Sequence, residues 1–79
     1  MTHQIIALQP LDDFQLLLQF KTGEQRKFDC KPYLQYPVFK VLLNEQLFKQ
    51  VINRQLFIEW QPYEIDLSAD TLWHESVDV

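Results

Sequence analysis

Between Phe14 and Phe20 apolar residues recur at every second position, and the chain then turns through its only glycine into another alternating stretch. Side chains of a strand point to opposite faces in turn, so a period of two marks a half-buried strand. Phe14, Leu16, Leu18 and Phe20 are expected on one face, with Gln15, Leu17 and Gln19 on the other. Leu17 interrupts the polar face, which predicts partial cover there. Lys21-Thr22-Gly23-Glu24 reads as a hairpin turn, with Gly23 where a positive φ is most needed. Gln25 to Cys30 then returns, with Arg26, Phe28 and Cys30 on one face and Gln25, Lys27 and Asp29 on the other. Phe28 is expected to pack on Leu16 or Leu18 across the ladder.

The remaining elements are short. His3 to Leu8 has the apolar, β-branched character of a strand, and Pro10 to Asp13 that of a turn. Pro32 and Pro37 bracket a Tyr-rich connection, Tyr33-Leu34-Gln35-Tyr36. Pro37 suits the first position of a short helix through Leu43, with Val38, Val41 and Leu42 as its buried stripe. Asn44 is placed to end that helix or to cap a further turn at Glu45 to Phe48. Phe48 to Ile52 and Leu56 to Trp60 read as another hairpin across Asn53-Arg54, with Leu56, Ile58 and Trp60 on one face. Pro62-Tyr63 turns the chain, and Ile65 and Leu67 alternate with acids. Ser68 is a natural N-cap for a closing helix, Ala69 to about Glu75, anchored by Leu72 and Trp73. The pattern predicts an α+β fold over residues 1–79 as a single domain. It has a small antiparallel sheet of hairpins, one or two short helices and a short C-terminal helix.

Composition narrows the function classes. The chain has 79 residues, 47% of them hydrophobic, including two Trp, three Tyr and six Phe. That suits a packed core and argues against disorder. One glycine cannot build the Gly-rich loops that cradle phosphates, so P-loop and dinucleotide-fingerprint readings fall away. A single cysteine, Cys30, forms no internal disulfide, which points to a reducing cytoplasm. The N-terminal stretch lacks the pattern of a secretory signal. No apolar run approaches the ~20 residues of a membrane span.

Charge is uneven along the chain. The net charge is −4, yet all seven Lys and Arg lie between Lys21 and Arg54. After Arg54 come Glu59, Glu64, Asp66, Asp70, Glu75 and Asp78 with no base. Either the two regions face each other in the fold, or the acids keep the surface soluble, or the asymmetry marks a binding surface. An acidic chain is a poor non-specific binder of phosphate backbones.

Phe14-Gln15-Leu16 leads to Phe20-Lys21-Thr22-Gly23-Glu24, then to Phe28-Asp29 and Pro32-Tyr33-Leu34. Phe39 to Leu42, Phe48, Val51 and Ile58-Glu59-Trp60 follow, and Ile65 to Leu72 closes the set. In this order the features resemble a family of small bacterial proteins known as domain of unknown function 2442. Cys30 departs from the pattern, which has an aliphatic residue there, and a free Cys is itself a small hydrophobe. The resemblance implies an α+β domain with an antiparallel sheet and no known reaction. Some relatives carry an added helix-turn-helix domain, and this chain ends before one could fit. Some are encoded beside another small protein, in the manner of toxin–antitoxin pairs, which implies a protein partner.

The residues themselves offer little chemistry. His3, Cys30 and His74 are not at metal-ligand spacing, so no metal and no cofactor is expected. Cys30 with His74 is the one Cys–His combination, and Cys30 falls on the face of Phe28, which predicts burial. Asp12-Asp13 belongs to a turn, and Glu64 with Asp66 lies on a solvated strand face. No catalytic residue is assigned. The aromatic and acidic end, Trp60, Tyr63, Asp66, Trp73 and His74, is expected to meet a partner, because Trp and Tyr are enriched at interface hot spots. Acidic neighbours suit a basic protein partner or self-association better than a nucleic acid; otherwise Trp60 and Trp73 simply pack the sheet on the last helix. The expectation is therefore a non-enzymatic interaction domain, antitoxin-like, with a homodimer through an edge strand such as His3 to Leu8 as a further option. The alternative is a nucleic-acid-associated regulator that contacts its target through Lys21, Arg26, Lys27 and Lys31 of the hairpin. Lysines on a hairpin also serve to discourage strand-to-strand aggregation.

Overall fold

A computed structural model describes residues 3–61 and 63–79. The expected hairpin is its centre. Strands β1 (Ile5–Leu11), β2 (Gln15–Phe20) and β3 (Gln25–Asp29) form an antiparallel sheet, extended at its far side by β7 (Val77–Asp78) in the order β1-β2-β3-β7. Leu16 pairs directly with Phe28, and Leu18 with Arg26. Leu16, Leu18, Phe20 and Phe28 are all buried. Gly23 has a φ of +101°, and the turn closes through its N–H to the Phe20 carbonyl at 2.8 Å. A β-carbon there would meet nothing within 4 Å, so the glycine is required by backbone conformation alone.

The second sheet has the order β4-β5-β6, with β4 at Ile52–Asn53, β5 at Phe57–Trp60 and β6 at Ile65–Ser68. Ile58, Trp60, Ile65 and Leu67 point inward. Helix α1 (Glu45–Phe48) starts at Asn44, whose side chain accepts the N–H groups of Gln46 and Leu47. Helix α2 (Ala69–Glu75) starts at Ser68, whose hydroxyl accepts from Thr71. The fold is thus α+β, with two small antiparallel sheets instead of one. They share one core, in which Leu16, Leu18 and Phe28 meet Leu42, Phe48, Ile58, Trp60 and Leu72. Among the described residues no helix is long and apolar enough to cross a membrane.

Several expected boundaries move, each for a local reason. Strand β1 runs on through Pro10, which pairs with Leu16. Proline lacks an N–H and is tolerated because β1 lies at the sheet edge. Phe14 is not in β2. Asp13 and Phe14 are left-handed, with φ of 62° and 58°, and form the turn with Asp12. A bulky residue there is strained. The site compensates, because the Phe14 carbonyl accepts the Cys30 N–H at 2.9 Å and its ring packs edge-on against Phe48.

Pro37 does open a helix to Leu43, and it is a 3-10 helix. At three residues per turn, Phe39 and Leu42 share the inward face, which leaves Val38 59% exposed instead of buried. Phe48 belongs to α1 and not to a strand, since Asn44 caps that turn, so the second hairpin is shorter than expected. Leu56 precedes β5 and is exposed. Tyr63 lies in the turn between β5 and β6, and Pro62 lies outside the described residues. Beyond α2 the chain adds β7, which has no periodic signal and is held through Arg26.

The core predicts its own weak point. Phe28 is fully enclosed. Phe28→Ala is expected to cost about 3–5 kcal/mol, most of what a domain this size has. Urea denaturation should show the variant partly unfolded without denaturant, with the wild type giving a single cooperative transition.

Candidate functional site

Cys30 is enclosed and Tyr33 is tied down. Cys30 is buried, and burial pushes its thiol up to about 12, with Asp29 adding to the effect. A thiol that stays protonated at neutral pH is a poor nucleophile. No hydrogen bond joins Cys30 to His74 among the described residues, and no three of their His, Cys, Asp and Glu side chains converge as metal ligands. Tyr33 donates its hydroxyl to Glu75 at 2.6 Å, and burial, followed by that bond, raises it to about 12.

The five side chains expected to meet a partner separate into three places. Trp60 is 1% exposed, and its indole N–H donates to the Phe48 carbonyl at 2.9 Å. It belongs to the core and leaves the candidate site. It stacks at 6.1 Å on Phe48, whereas Trp73 of α2 packs edge-on against Phe20 of the other sheet, so the two indoles do not form one cluster.

Trp73 is half-buried. The His3 ring stacks on it at 4.6 Å, and the Arg26 guanidinium sits over its ring at 4.5 Å. His3 donates its backbone N–H to Asp70 at 2.9 Å, and its Nδ1 meets the same oxygen at 2.8 Å. These bonds hold the Asp70 carboxyl below the usual range. His74 is exposed, edge-on to His3 at 6.2 Å. The group clamps the start of β1 and the Arg26 end of β3 to α2.

Tyr63, in the turn between β5 and β6, and Asp66, on β6, remain at the surface. The outward face of the second sheet carries Ile52, Glu59 and Asp66 in one row and Phe57 beside Ser68 in the next. Phe57 is 39% exposed and Leu56 53% exposed. Glu59 and Asp66 are direct cross-strand neighbours, and like charges so placed repel. The Arg54 guanidinium, 2.6 Å from Glu59, neutralises one of them and holds its carboxyl below the usual range. Asp66 has no cation among the described residues. Phe57 was legible as a surface residue, since it alternates with the inward Ile58 and Trp60.

Of the hairpin bases, Arg26 and Lys31 are engaged within the chain. Arg26 binds Ser76 and Asp78, at 2.7 Å each, and the Ser76 carbonyl. Lys31 binds Asp13 and Asp29. The basic middle and the acidic end thus face each other at Arg26–Asp78 and Arg54–Glu59.

A family model described as a protein of unknown function, DUF2442, matches residues 5–78. The chain belongs to the DUF2442 family. No curated protein matches it, and no solved structure does. The matched stretch of this DUF2442 chain takes in both sheets, both helices and the outward Phe57–Asp66 face.

Two outcomes follow. Cys30 should resist a thiol reagent in the folded chain at pH 8 and react fully in denaturant, as read by mass spectrometry. Asp70 contributes stability above the ordinary aspartate range, and that share is lost as pH falls through its depressed folded value. Melting curves of Asp70→Asn should therefore depend less on pH than the wild type below about pH 4.

Proposed function

We propose that this chain is a non-catalytic protein-interaction domain, the regulatory, antitoxin-like half of a two-protein system in the bacterial cytoplasm. The observation that carries this reading is the outward face of the second sheet. There Phe57 stands in solvent next to the opposed acids Glu59 and Asp66. A partner segment with an apolar side chain and a Lys or Arg would cover the ring and relieve the acids. Desolvated aromatic anchors and complementary charge are what specific protein interfaces use. The enclosed thiol of Cys30 and the internally bonded Tyr33 support a binding role over a reactive one.

A nucleic-acid role through the Lys21 to Lys31 hairpin has less support, because Arg26 and Lys31 are occupied by carboxylates of the same chain. Phosphate-driven binding needs free cations.

Native co-purification from the source cell tests the proposal. A stoichiometric protein partner is expected, and recovery of the free chain alone would count against it. Phe57→Asp should weaken capture at least tenfold with an unchanged melting temperature. Capture should also fall as salt rises, since Asp66 contributes through charge.

A further inference from the structure

We propose that the outer face of the four-stranded sheet docks a second copy of this chain, face to face, about a two-fold axis along the strands. This face is distinct from the Phe57–Asp66 face and goes beyond the role argued for it. Residues directly opposite across an antiparallel ladder share a face. The outer face therefore carries Ala7, Gln9 and Leu11 on β1, Gln19, Leu17 and Gln15 on β2, and Gln25, Lys27 and Asp29 on β3. Leu17 is half-buried at its centre, between Gln9 and Lys27 across the ladder. A shallow groove follows the same face, lined by Ala7, Leu8, Gln9, Leu17, Gln19 and Gln25. The core residues of this sheet all point the other way.

Charge and hydrogen bonding select the occupant. The chain carries a net −4, so two copies repel at most orientations. This face is the exception. Asp29 shares the Lys31 ammonium with Asp13, and Lys27, without an ion pair among the described residues, is the one unpaired charge beside the glutamines. Glutamine amides both donate and accept, so a glutamine surface complements itself.

The axis follows from Lys27. An axis across the strands would set Lys27 against Lys27 of the second copy. An axis along them sets Lys27 against Gln9 of the second copy, whose carbonyl accepts its ammonium, and sets Leu17 on Leu17. Edge-to-edge pairing through β1 is less suited. The Ile5 N–H is already bonded to Gln55, and Pro10 removes another donor.

Strands about 4.8 Å apart give this face a footprint of about 300 Å², so two stacked copies cover about 600 Å² in all. That is smaller than a standard specific interface, so a weak, rapidly reversible dimer is expected.

Sedimentation equilibrium between about 10 and 500 µM tests this, a range chosen for a weak interface. The wild type should move from monomer toward dimer, more strongly at 300 mM than at 20 mM salt, because screening reduces the repulsion between acidic copies. Leu17→Asp, at a position outside the core, should stay monomeric throughout, with an unchanged melting curve. Gln9→Glu creates two ion pairs with Lys27 and should tighten the dimer about tenfold, a factor of about three per pair. A wild type that is monomeric at every concentration overturns the proposal. So does an association that survives Leu17→Asp, which would place the contact at an edge or on the other sheet. Weakening by Gln9→Glu overturns it as well, since it would mean that Gln9 faces its own copy.

Discussion

The backbone of Ile5 holds the two sheets together. Its N–H donates to the Gln55 carbonyl at 2.8 Å, and its own carbonyl accepts the Asn53 amide at 3.0 Å. Gln4 and Gln55 join their side-chain amides alongside. These bonds satisfy polar groups at the edge of β1 and fasten the first sheet to the turn between β4 and β5. The second sheet includes a strand of only two residues, and sheets so small are not stable alone. Joined in this way, the two form walls of one core. The Trp60 indole, bonded to Phe48, then ties α1 to the same interior.

This arrangement decides which surfaces are free. With both sheets turned inward on one core, each has an outward side that the helices do not cover. The sides differ in chemistry. The first sheet shows glutamines around Leu17, and the second shows acids around Phe57. The uneven charge of the sequence is only partly spent inside the molecule. Arg26 and Arg54 reach carboxylates of the acidic end, while Asp66 stays beside Glu59 without a cation of its own among the described residues. The exposed pairs contribute little to stability. Their larger effect is to leave one sheet face acidic and the other nearly neutral.

Much of this was legible in the sequence wherever a local rule governed a local outcome. Alternation located Leu16, Leu18, Phe20 and Phe28, and the Ser68 and Asn44 caps located both helices. What was not legible depended on neighbours distant in sequence. Pro10 is a strand residue because nothing pairs beyond it. Phe14 adopts a left-handed backbone because Cys30 and Phe48 hold it. Val77 and Asp78 form a strand because Arg26 holds Ser76 and Asp78. The candidate site divided in the same manner. Alternation with Ile58 already put Trp60 inside, while aromatic content alone had placed it at a surface. Trp73 needed His3, 70 residues away in the chain by numbering, to become part of a clamp.

Where a chain breaks its local rules is a guide to function, because strained residues concentrate at sites that do chemistry. Among the described residues the non-glycine ones with positive φ are Asp13, Phe14, Gln55 and Glu64, and all are in turns or bends. Asp13 is held by Lys31, Phe14 by Cys30, and Gln55 by Ile5 and Asn53. Each of these has a structural cause. Glu64 has no such partner among the described residues, and it stands in the turn beside Tyr63, at one end of the acidic face. No buried side-chain nitrogen or oxygen among the described residues lacks a hydrogen bond. The polar side-chain atoms of the described interior are thus paired within the chain, and under the binding role proposed above contact falls to the outward faces of the two sheets.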